Sequence, residues 1–121
     1  MALVPWQVWL NSEDGMCGLH CDAPNSLLVV LAGSKRVALL HPCAPAVLKL
    51  DTRGDSGINI GYDVFADERF EEGASAHGMR HIVTLGRGDA VFIPAGWYHQ
   101  VHSCAQTVGV SIPVCSVSTS L

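Results

Sequence analysis

The chain contains 121 residues, of which 49% are hydrophobic and only 15% are charged, and its formal net charge at pH 7 is −4. This length predicts a single domain, residues 1–121, with one core and one site, and the composition excludes an intrinsically disordered chain. The negative charge provides no general attraction to nucleic acid, so RNA binding would need a local basic patch.

The cysteines indicate the cellular environment. The chain has five of them, an odd number without a Cys-x-x-Cys pair, and its N-terminus lacks the charged and then apolar segments of a signal peptide. Both features predict a reducing, intracellular location, cytoplasmic or nuclear. No apolar run approaches the roughly 18 to 20 residues of a membrane-spanning helix, so we expect no membrane partner.

Seven short apolar or alternating runs, separated by turns that contain Gly or Pro, predict β-strands. In chain order they are Val4–Leu10, Leu27–Leu31, Arg36–Leu40, His81–Leu85, Ala90–Ile93, His99–Ser103 and Thr107–Val114. Runs of this length and spacing are typical of an antiparallel sandwich or barrel. We predict hairpin turns at Ala32–Lys35 and at Gly86–Asp89.

Two segments do not fit the strand pattern. Pro45–Leu50 is a short helical candidate. The stretch 51–78 is polar, contains several glycines and acidic residues, and is too irregular for a core strand. We predict that it forms a long surface insertion at the rim of the site, where it would help to select the substrate. Because a strand begins almost at residue 1, we expect a minimal core without an N-terminal extension.

The first candidate ligands, His20 and Asp22, are two residues apart. If this segment is extended, both side chains point to the same face and can bind one ion, while Cys21 points away. The direction of the cysteine matters because a thiolate ligand would favour zinc or copper over iron. By itself, His-x-Asp is a weak signal, since a structurally satisfied histidine is the commoner explanation.

A third candidate, His99, begins the strand after Trp97. On a regular strand His99 and His102 lie on opposite faces, so they cannot both bind the same ion. We choose His99, because the turn Pro94–Trp97 delivers it at the start of the strand. Structural roles are the simpler interpretation for the four remaining histidines, which are His41, His77, His81 and His102.

Two imidazoles and one carboxylate form the ligand set of a mononuclear non-haem iron site, in which the opposite positions stay open for a co-substrate and oxygen. An acidic co-substrate that chelates the metal at one end needs a cation for its distal carboxylate. Lys35, directly after the first predicted hairpin turn, is placed to supply this cation. Arg36 would point the opposite way on an extended strand and is the weaker candidate.

Three blocks of the sequence resemble the JmjC-type, cupin-like Fe(II)/2-oxoglutarate oxygenases. The blocks are His20–Asp22, the segment Asn25–Val37, and Gly86–Val101 with its Gly-Arg-Gly-Asp and Ile-Pro-Ala-Gly-Trp-Tyr-His sequences. The resemblance extends from about Val8 to Val114. It implies an all-β fold, the double-stranded β-helix or jelly-roll.

The same resemblance implies roles for individual residues. His20, Asp22 and His99 match the iron ligands, and Lys35 matches the lysine that binds the C5 carboxylate of 2-oxoglutarate. The implied activity is hydroxylation of a protein side chain, or of an RNA base, with release of succinate and CO2. Asp22 and the compact Gly-Ser-Lys-Arg-Val block are more similar to the small hydroxylase branch than to the histone lysine demethylases.

Three positions depart from the family pattern. Cys17 stands where Thr or Ser often helps to hold the co-substrate carboxylate, Ser26 stands where the hydroxylases usually have Asn, and Pro113 falls near a position often occupied by Asn. We keep Cys17 and Ser26 as candidate co-substrate residues. Trp97 and Tyr98 are candidate walls of the pocket, although an aromatic pair beside a strand fits a core equally well.

Other functions stay open. A catalytically inactive cupin-like metal-binding or interaction domain is favoured by the three departures and disfavoured by the intact triad. A JmjC histone lysine demethylase is a further alternative, as is a cupin that uses no 2-oxoglutarate, for which Lys35 is the discriminating residue. The expected partner is a protein substrate, with RNA as the alternative, and a homodimer is left open for a full-length form. The two Arg-Gly-Asp sequences, at 53–55 and 87–89, indicate turns rather than adhesion motifs.

Overall fold

The computed structural model of the protein describes residues 5–53, 57–58 and 61–114. The strands are β1 (Gln7–Asn11), β2 (Gly15–Met16), β3 (Asn25–Ala32), β4 (Lys35–Leu40), β5 (Thr52–Arg53), β6 (Gly57–Ile58), β7 (Arg80–Leu85), β8 (Ala90–Ile93), β9 (Tyr98–Ser103) and β10 (Thr107–Val114). The helices are α1 (Ala44–Val47) and a short 3-10 helix, Glu68–Phe70.

Eight of these strands form two four-stranded antiparallel sheets. Sheet A has the strand order β1-β10-β3-β8, sheet B has the order β2-β9-β4-β7, and β5 and β6 form a separate hairpin. Along the chain β1 to β4 alternate between the sheets and so do β7 to β10, whereas β4 and β7 both belong to sheet B. This alternation is that of a jelly-roll, or double-stranded β-helix, and the predicted all-β fold is confirmed.

A two-residue turn, Gly33 and Ser34, connects β3 to β4. The predicted hairpins at Ala32–Lys35 and Gly86–Asp89 are turns but not hairpins, because each connects strands of different sheets that do not pair with each other. Gly33 has a φ angle of 77°, which an L-residue with a side chain rarely adopts. A Cβ atom at this position would also collide with the Thr107 hydroxyl. Glycine therefore allows the chain to cross from one sheet to the other beside the start of β10.

The inner faces of the two sheets pack against each other around an apolar core. Its buried members come from both sheets and are Leu28, Val30, Val37, Leu85, Ile93 and Val101. In β3 and β4 these residues alternate with residues of the opposite face, as expected for strands that each bury one side in the core. The core fixes the distance between the sheets at the place where the cavity opens.

The described parts of the stretch 51–78 contain only the short strands β5 and β6 and the 3-10 helix, but they are not a loose surface insertion. Val64, Phe70 and Ala76 are buried, and they pack with Ala38 and Leu40 of β4 in a second apolar cluster. This cluster covers the outer face of sheet B. It could not be predicted from the pattern of residues, because the three are separated by polar residues and glycine and match neither a strand nor a helix period.

Arg80 and Gln100 attach this stretch to sheet B. The Arg80 guanidinium donates hydrogen bonds to the carbonyl oxygens of Val64 and Asp67, both at 3.1 Å. The Gln100 side chain is buried, and its Oε1 accepts a hydrogen bond from the Val64 amide at 3.0 Å. Polar side chains of the sheet thus satisfy main-chain groups that a buried loop would otherwise leave without partners.

The seven predicted strands are observed with boundaries close to the predicted ones, and β8 and β10 match at both ends. The short strands β2, β5 and β6 were not predicted. Val4, the first residue of the first predicted strand, lies outside the described residues. The helix spans Ala44–Val47 instead of Pro45–Leu50, because Leu48 has a ψ angle near 0° and Lys49 has a φ angle of 54°, which ends the helix. No helix in the described part of the chain is long and apolar enough to cross a lipid bilayer.

Candidate metal centre

His20, Asp22 and His99 converge on one point. The Asp22 Oδ2 atom lies 3.7 Å from His20 Nε2 and 3.4 Å from His99 Nε2. The ring centroids of the two imidazoles are 4.3 Å apart. One ligand atom from each of the three residues lies within 4.8 Å of the others, so this triad could hold a metal ion.

Main-chain hydrogen bonds hold the triad together. His99 N donates to His20 O at 2.7 Å, and His20 N donates to His99 O at 3.1 Å, which makes an isolated antiparallel bridge. Gly96 N donates to Asp22 O at 3.2 Å. The bridge keeps the chain extended at His20, and the side chains of His20 and Asp22 face the same cavity, as the alternation argument predicted.

The remaining ring nitrogens of both histidines are engaged by main-chain carbonyl groups. His20 Nδ1 lies 2.8 Å from Gly18 O, and His99 Nδ1 lies 3.3 Å from Trp97 O. A proton on Nδ1 satisfies these contacts and leaves the lone pair on Nε2, the atom that faces Asp22. Burial lowers the pKa of His99, and the neighbouring His20 lowers it further, which favours the neutral ring that a metal requires.

Cys21 lies between two ligands in the sequence but does not belong to the triad. The thiol is adjacent to Tyr98, whose pKa is raised first by burial and then by Cys21. The described residues that group around a possible ion are two histidines and one aspartate. The candidate donor set among the described residues therefore consists of nitrogen and oxygen atoms.

The triad opens into a cavity of about 510 Å³ that lies between the two sheets. Three further residues singled out in the sequence also line it, namely Lys35, Cys17 and Ser26. Pro113, the third departure from the family pattern, is a lining residue as well. The fold thus brings the candidate metal ligands and the candidate co-substrate residues to one place.

Lys35 extends from β4 into this cavity, and only 4% of its surface is exposed. The ammonium donates a hydrogen bond to Ser103 Oγ at 2.6 Å. Burial lowers the pKa of Lys35, and the nearby Cys17 opposes the shift. Because an ammonium has three donors, Lys35 can bind an anion and keep its hydrogen bond to Ser103. Arg36 faces the other way, above the Phe65 ring.

Two residues that support Lys35 were missed in the sequence. A Cβ atom at Gly109 of β10 would lie 2.5 Å from Lys35 Cε, so glycine makes room for the lysine stem. Ser103 is the hydrogen-bond acceptor of its ammonium. Both residues could have been identified from the sequence. A glycine inside a strand marks the close approach of another group to the backbone, and Ser103 must face the same side of its strand as His99.

Trp97 and Tyr98 are not among the described residues that line the cavity. The Trp97 ring instead lies 5.4 Å from the His41 ring and 6.3 Å from the His81 ring, measured between centroids. Tyr98 packs on the apolar cluster at the outer face of sheet B. The aromatic residue in the cavity wall is Trp9 of β1.

The stretch 51–78, which the sequence placed at the rim, contributes no lining residue within its described parts. Its position on the outer face of sheet B explains why. The exposed lining residues come instead from Pro5 and β1, from Met16 and Cys17, and from the segment 22–23. We therefore expect β1 and this segment, rather than the insertion, to contact a substrate.

Comparison with known proteins places this site in a family. A family model described as "Cupin-like domain" matches residues 5–114. The chain belongs to the cupin-like domain family. The JmjC-type resemblance is confirmed as well, since a similar protein is Lysine-specific demethylase JMJ31 of Arabidopsis thaliana, which is 33% identical over 106 residues that cover 85% of this chain and 19% of that protein.

Two human proteins are similar to the same region of this cupin-like domain. tRNA wybutosine-synthesizing protein 5 is 33% identical over 99 residues, covering 77% of this chain and 28% of that protein. The 2-oxoglutarate and iron-dependent oxygenase JMJD4 is 26% identical over 83 residues, covering 69% of this chain and 20% of that protein. The chain spans less than a third of the length of these relatives. Relatives of this domain thus include an oxygenase named for 2-oxoglutarate and iron.

Among solved structures, the crystal structure of Drosophila melanogaster CENP-C bound to CAL1 is similar to this cupin-like domain with a TM-score of 0.55. The sequence identity is 12%, and the match covers 90% of this chain and 63% of that chain. At this identity the likeness concerns the fold alone. It agrees with the jelly-roll arrangement of sheets A and B.

Proposed function

We propose that this domain is an Fe(II)- and 2-oxoglutarate-dependent dioxygenase that hydroxylates a protein side chain, or an RNA base, and releases succinate and CO2. One observation carries the proposal: a triad of two histidines and one aspartate lines the same cavity as a buried lysine ammonium. The family membership and the JMJD4 relative support the same chemistry. An intracellular protein is the preferred class of substrate in this proposal.

The donor set of the triad fits Fe(II). Two imidazoles and one carboxylate bind one face of the ion and leave the other positions open, which is the arrangement of non-haem iron oxygenases. His20 and His99 each present Nε2 toward Asp22 while Nδ1 contacts a main-chain carbonyl group. Such outer contacts fix the orientation of the ring and raise its basicity as a ligand.

The environment of Lys35 favours a dicarboxylate co-substrate. Asp22 is the one carboxylate among the described lining residues, and it belongs to the triad. Apart from Asp22, Lys35 therefore faces the cavity without a carboxylate from the described lining, and a buried cation is costly unless a counter-ion compensates it. The distal carboxylate of 2-oxoglutarate would supply that counter-ion while the other end of the molecule reaches the metal.

In this function the residues of the chain bind, orient and exclude water. The triad would hold the metal, and Lys35 with Ser103 would hold the distal carboxylate. Apolar lining residues, among them Leu28, Ile93 and Val101, would keep bulk water from the space between them. The bound iron would supply the activation of oxygen, which no amino-acid side chain provides.

A second candidate function rests on the departures from the family pattern. Cys17, Ser26 and Pro113 all line the cavity, so each can alter the binding of a co-substrate. These substitutions favour a catalytically inactive domain that binds metal or a partner. Lysine demethylation is a further candidate reaction, supported by the name of the Arabidopsis relative.

The test of the proposal is succinate formation from 2-oxoglutarate in the presence of Fe(II) and air. We expect the wild-type chain to form succinate, and we expect the activity to fall to background in His99→Ala and in Lys35→Met. Lys49→Met is the matched control, because Lys49 is exposed and does not line the cavity. Metal binding without 2-oxoglutarate binding would contradict the proposal and favour the inactive domain.

A further inference from the structure

A thiol and an ammonium, those of Cys17 and Lys35, both line the cavity. Lys35 is buried, whereas Cys17 is exposed and lies within reach of small molecules in solution. The other free cysteines of the described chain, Cys21, Cys43 and Cys104, are not lining residues. Among the described cysteines, Cys17 is therefore the one that a molecule bound in the cavity would meet.

Main-chain pairing with β9 fixes the position of Cys17. Its amide donates to Val101 O at 3.0 Å, and its sulfur atom lies 3.7 Å from the same oxygen atom. Ser103, which accepts the hydrogen bond of the Lys35 ammonium, is the next residue of β9 on the face of Val101, about 7 Å along the strand. One small molecule can therefore contact the Cys17 thiol and the Lys35 ammonium at the same time.

The Lys35 ammonium indicates which kind of molecule would approach this thiol. The described part of the chain gives the ammonium one hydrogen bond, to Ser103, so two of its three protons stay available for an anion. The described lining holds one carboxylate, Asp22, and that carboxylate belongs to the triad. A buried cation with open donors favours a ligand that carries its own carboxylate.

The same ammonium favours a reaction between the thiol and such a ligand. A thiol reacts as its thiolate, which repels an anionic reagent unless a cation nearby offsets the two negative charges. Lys35 and Cys17 lie close enough to interact, since burial lowers the pKa of Lys35 and Cys17 opposes that shift. The cavity thus combines a carboxylate-binding cation with a nucleophilic sulfur atom, and an electrophile with a carboxylate fits both.

We propose that Cys17 is a covalent modification site for small α,β-unsaturated dicarboxylates. One carboxylate binds the Lys35 ammonium, which brings the carbon–carbon double bond to the Cys17 sulfur atom. The sulfur atom forms a bond to one alkene carbon, the π bond breaks, and the neighbouring alkene carbon takes up a proton from water. The thiol proton passes to the solvent. The product is a thioether, and no oxidant or reductant takes part.

The thioether blocks the place that the proposed function assigns to 2-oxoglutarate. It keeps both carboxylates, and one of them stays on Lys35, where the distal carboxylate of the co-substrate would bind. The modification site rests on the proposed function only through this carboxylate-binding role of Lys35, because the addition needs neither metal nor oxygen. Cys17 stands where the family often has Thr or Ser, and a hydroxyl group is too weak a nucleophile for this addition. The substitution thus makes the chain sensitive to a class of molecules that its relatives with a hydroxyl group would resist.

The test is peptide mass spectrometry of the whole folded chain after incubation with fumarate at neutral pH, without added metal. Each cysteine's rate with fumarate is divided by its rate with iodoacetamide, a neutral reagent, so that the normalised rate reports recognition of the carboxylate rather than exposure. We expect the mass of one fumarate to be added at Cys17, with a normalised rate at least about tenfold above those of the exposed Cys43 and Cys104. Cys17→Ser should lose this adduct.

Lys35→Met tests the role of the ammonium. It should lower the normalised rate at Cys17 at least about tenfold, because it removes the cation that binds the carboxylate. Lys49→Met is the matched control, since Lys49 is exposed and does not line the cavity, and it should leave the rate unchanged. Far-UV circular dichroism shows whether each variant is folded, and the comparison among the wild-type cysteines needs no variant.

Equal normalised rates at Cys17 and at the two exposed cysteines of the wild type would overturn the proposal. So would a rate at Cys17 that the folded Lys35→Met variant leaves unchanged. Neither outcome depends on catalysis. A chain that forms the adduct but no succinate keeps this modification site, and a chain that forms succinate but no adduct loses it while the proposed function stands.

Discussion

The two sheets contribute different things to the cavity between them. Sheet B provides two ionisable side chains, His99 from β9 and Lys35 from β4, whereas sheet A provides neutral wall residues such as Trp9, Leu28 and Ile93. Their outer faces differ as well. The stretch 51–78 covers sheet B with an apolar cluster, whereas Val8, Leu10 and Phe92 on the outer face of sheet A are exposed.

This difference indicates that sheet B is held more rigidly than sheet A. The candidate metal ligand His99 and the buried Lys35 lie on the sheet that is packed on both sides, which favours the fixed positions that a binding site needs. Wall residues tolerate small displacements, and they lie on the sheet that is packed on one side. Substitutions on the two outer faces, and then within the cavity, can test this division of roles.

The largest effect should come from removing the cover of sheet B. Phe70 is 4% exposed in the apolar cluster, whereas Phe92 on the outer face of sheet A is 49% exposed. We predict that Phe70→Ala lowers the free energy of unfolding by about 3–4 kcal/mol, because it removes a buried ring. Phe92→Ala should cost less than about 1 kcal/mol when both are measured by urea denaturation of dilute protein. Equal losses would contradict the difference between the two faces.

The next effect concerns the two faces of β9. His99 faces the cavity, whereas His102 lies on the other face of the strand and is paired with Met16. We predict that His99→Ala weakens binding of Fe(II) or Co(II) by about 100-fold or more, since even the loss of a residue behind a ligand costs about 10- to 100-fold. His102→Ala should bind metal like the wild type in calorimetric titrations. A similar loss in both variants would mean that the triad is not the metal site.

A smaller effect tests the role of sheet A behind Lys35. Alanine at Gly109 would push the lysine stem aside, because its Cβ atom would lie 2.5 Å from Lys35 Cε. We predict that Gly109→Ala weakens 2-oxoglutarate binding about tenfold, or about 1.4 kcal/mol, and leaves metal affinity unchanged. Gly86→Ala is the control, because a Cβ atom there meets only an ordinary contact at 3.6 Å with Asp89. Unchanged 2-oxoglutarate affinity in Gly109→Ala would remove Lys35 from the co-substrate site.

The smallest effect concerns a carboxylate in the covering stretch. Asp67 accepts hydrogen bonds from the Tyr62 hydroxyl at 2.6 Å and from Arg69 Nη2 at 2.7 Å. The Arg69 guanidinium and then the Tyr62 hydroxyl hold the pKa of Asp67 well below its ordinary value, against the opposing effect of burial. Since Arg69 is half-exposed and screened by solvent, we predict that Asp67→Asn costs only about 1 kcal/mol at pH 7.

The sign of the pH dependence is determined by the lowered pKa of Asp67. Above the unfolded-state value of about 3.9, both states are charged and the folded state keeps its hydrogen bonds. As the pH falls below that value, Asp67 is protonated first in the unfolded chain. The stabilisation that Asp67 provides is therefore lost progressively as the pH approaches the lower pKa of Asp67 in the folded state. The difference between wild type and Asp67→Asn should therefore shrink between about pH 4 and pH 2. A constant difference in denaturation experiments across this range would contradict the assignment.

Local alternation made several features predictable from the sequence. The strands, the common face of His20 and Asp22, and the opposite faces of His99 and His102 all depend on the two-residue period of an extended chain. The choice of His99 depended on the turn that precedes it. The direction of Lys35 could be inferred from the turn before it. Each of these features is determined within a few residues of chain, so no long-range contact was needed to infer it.

The features that were missed depend on contacts between distant segments. Gly109 and Ser103 meet Lys35 only because of the pairing between strands and the packing of one sheet on the other. The burial of Phe70 depends on Arg80, which attaches an irregular stretch to β7. Tyr98 is the exception, since its alternation with a ligand already places it on the opposite face of β9.

Anaerobic titration with Fe(II), followed by 2-oxoglutarate, tests the proposed site most directly. We predict a weak visible metal-to-ligand charge-transfer band that develops only when both are present. The band should be absent in His99→Ala and Lys35→Met and unchanged in Lys49→Met. Fe(II) binding without this band at saturating 2-oxoglutarate would contradict the oxygenase function, and it would leave a cupin-like domain that binds metal for another purpose.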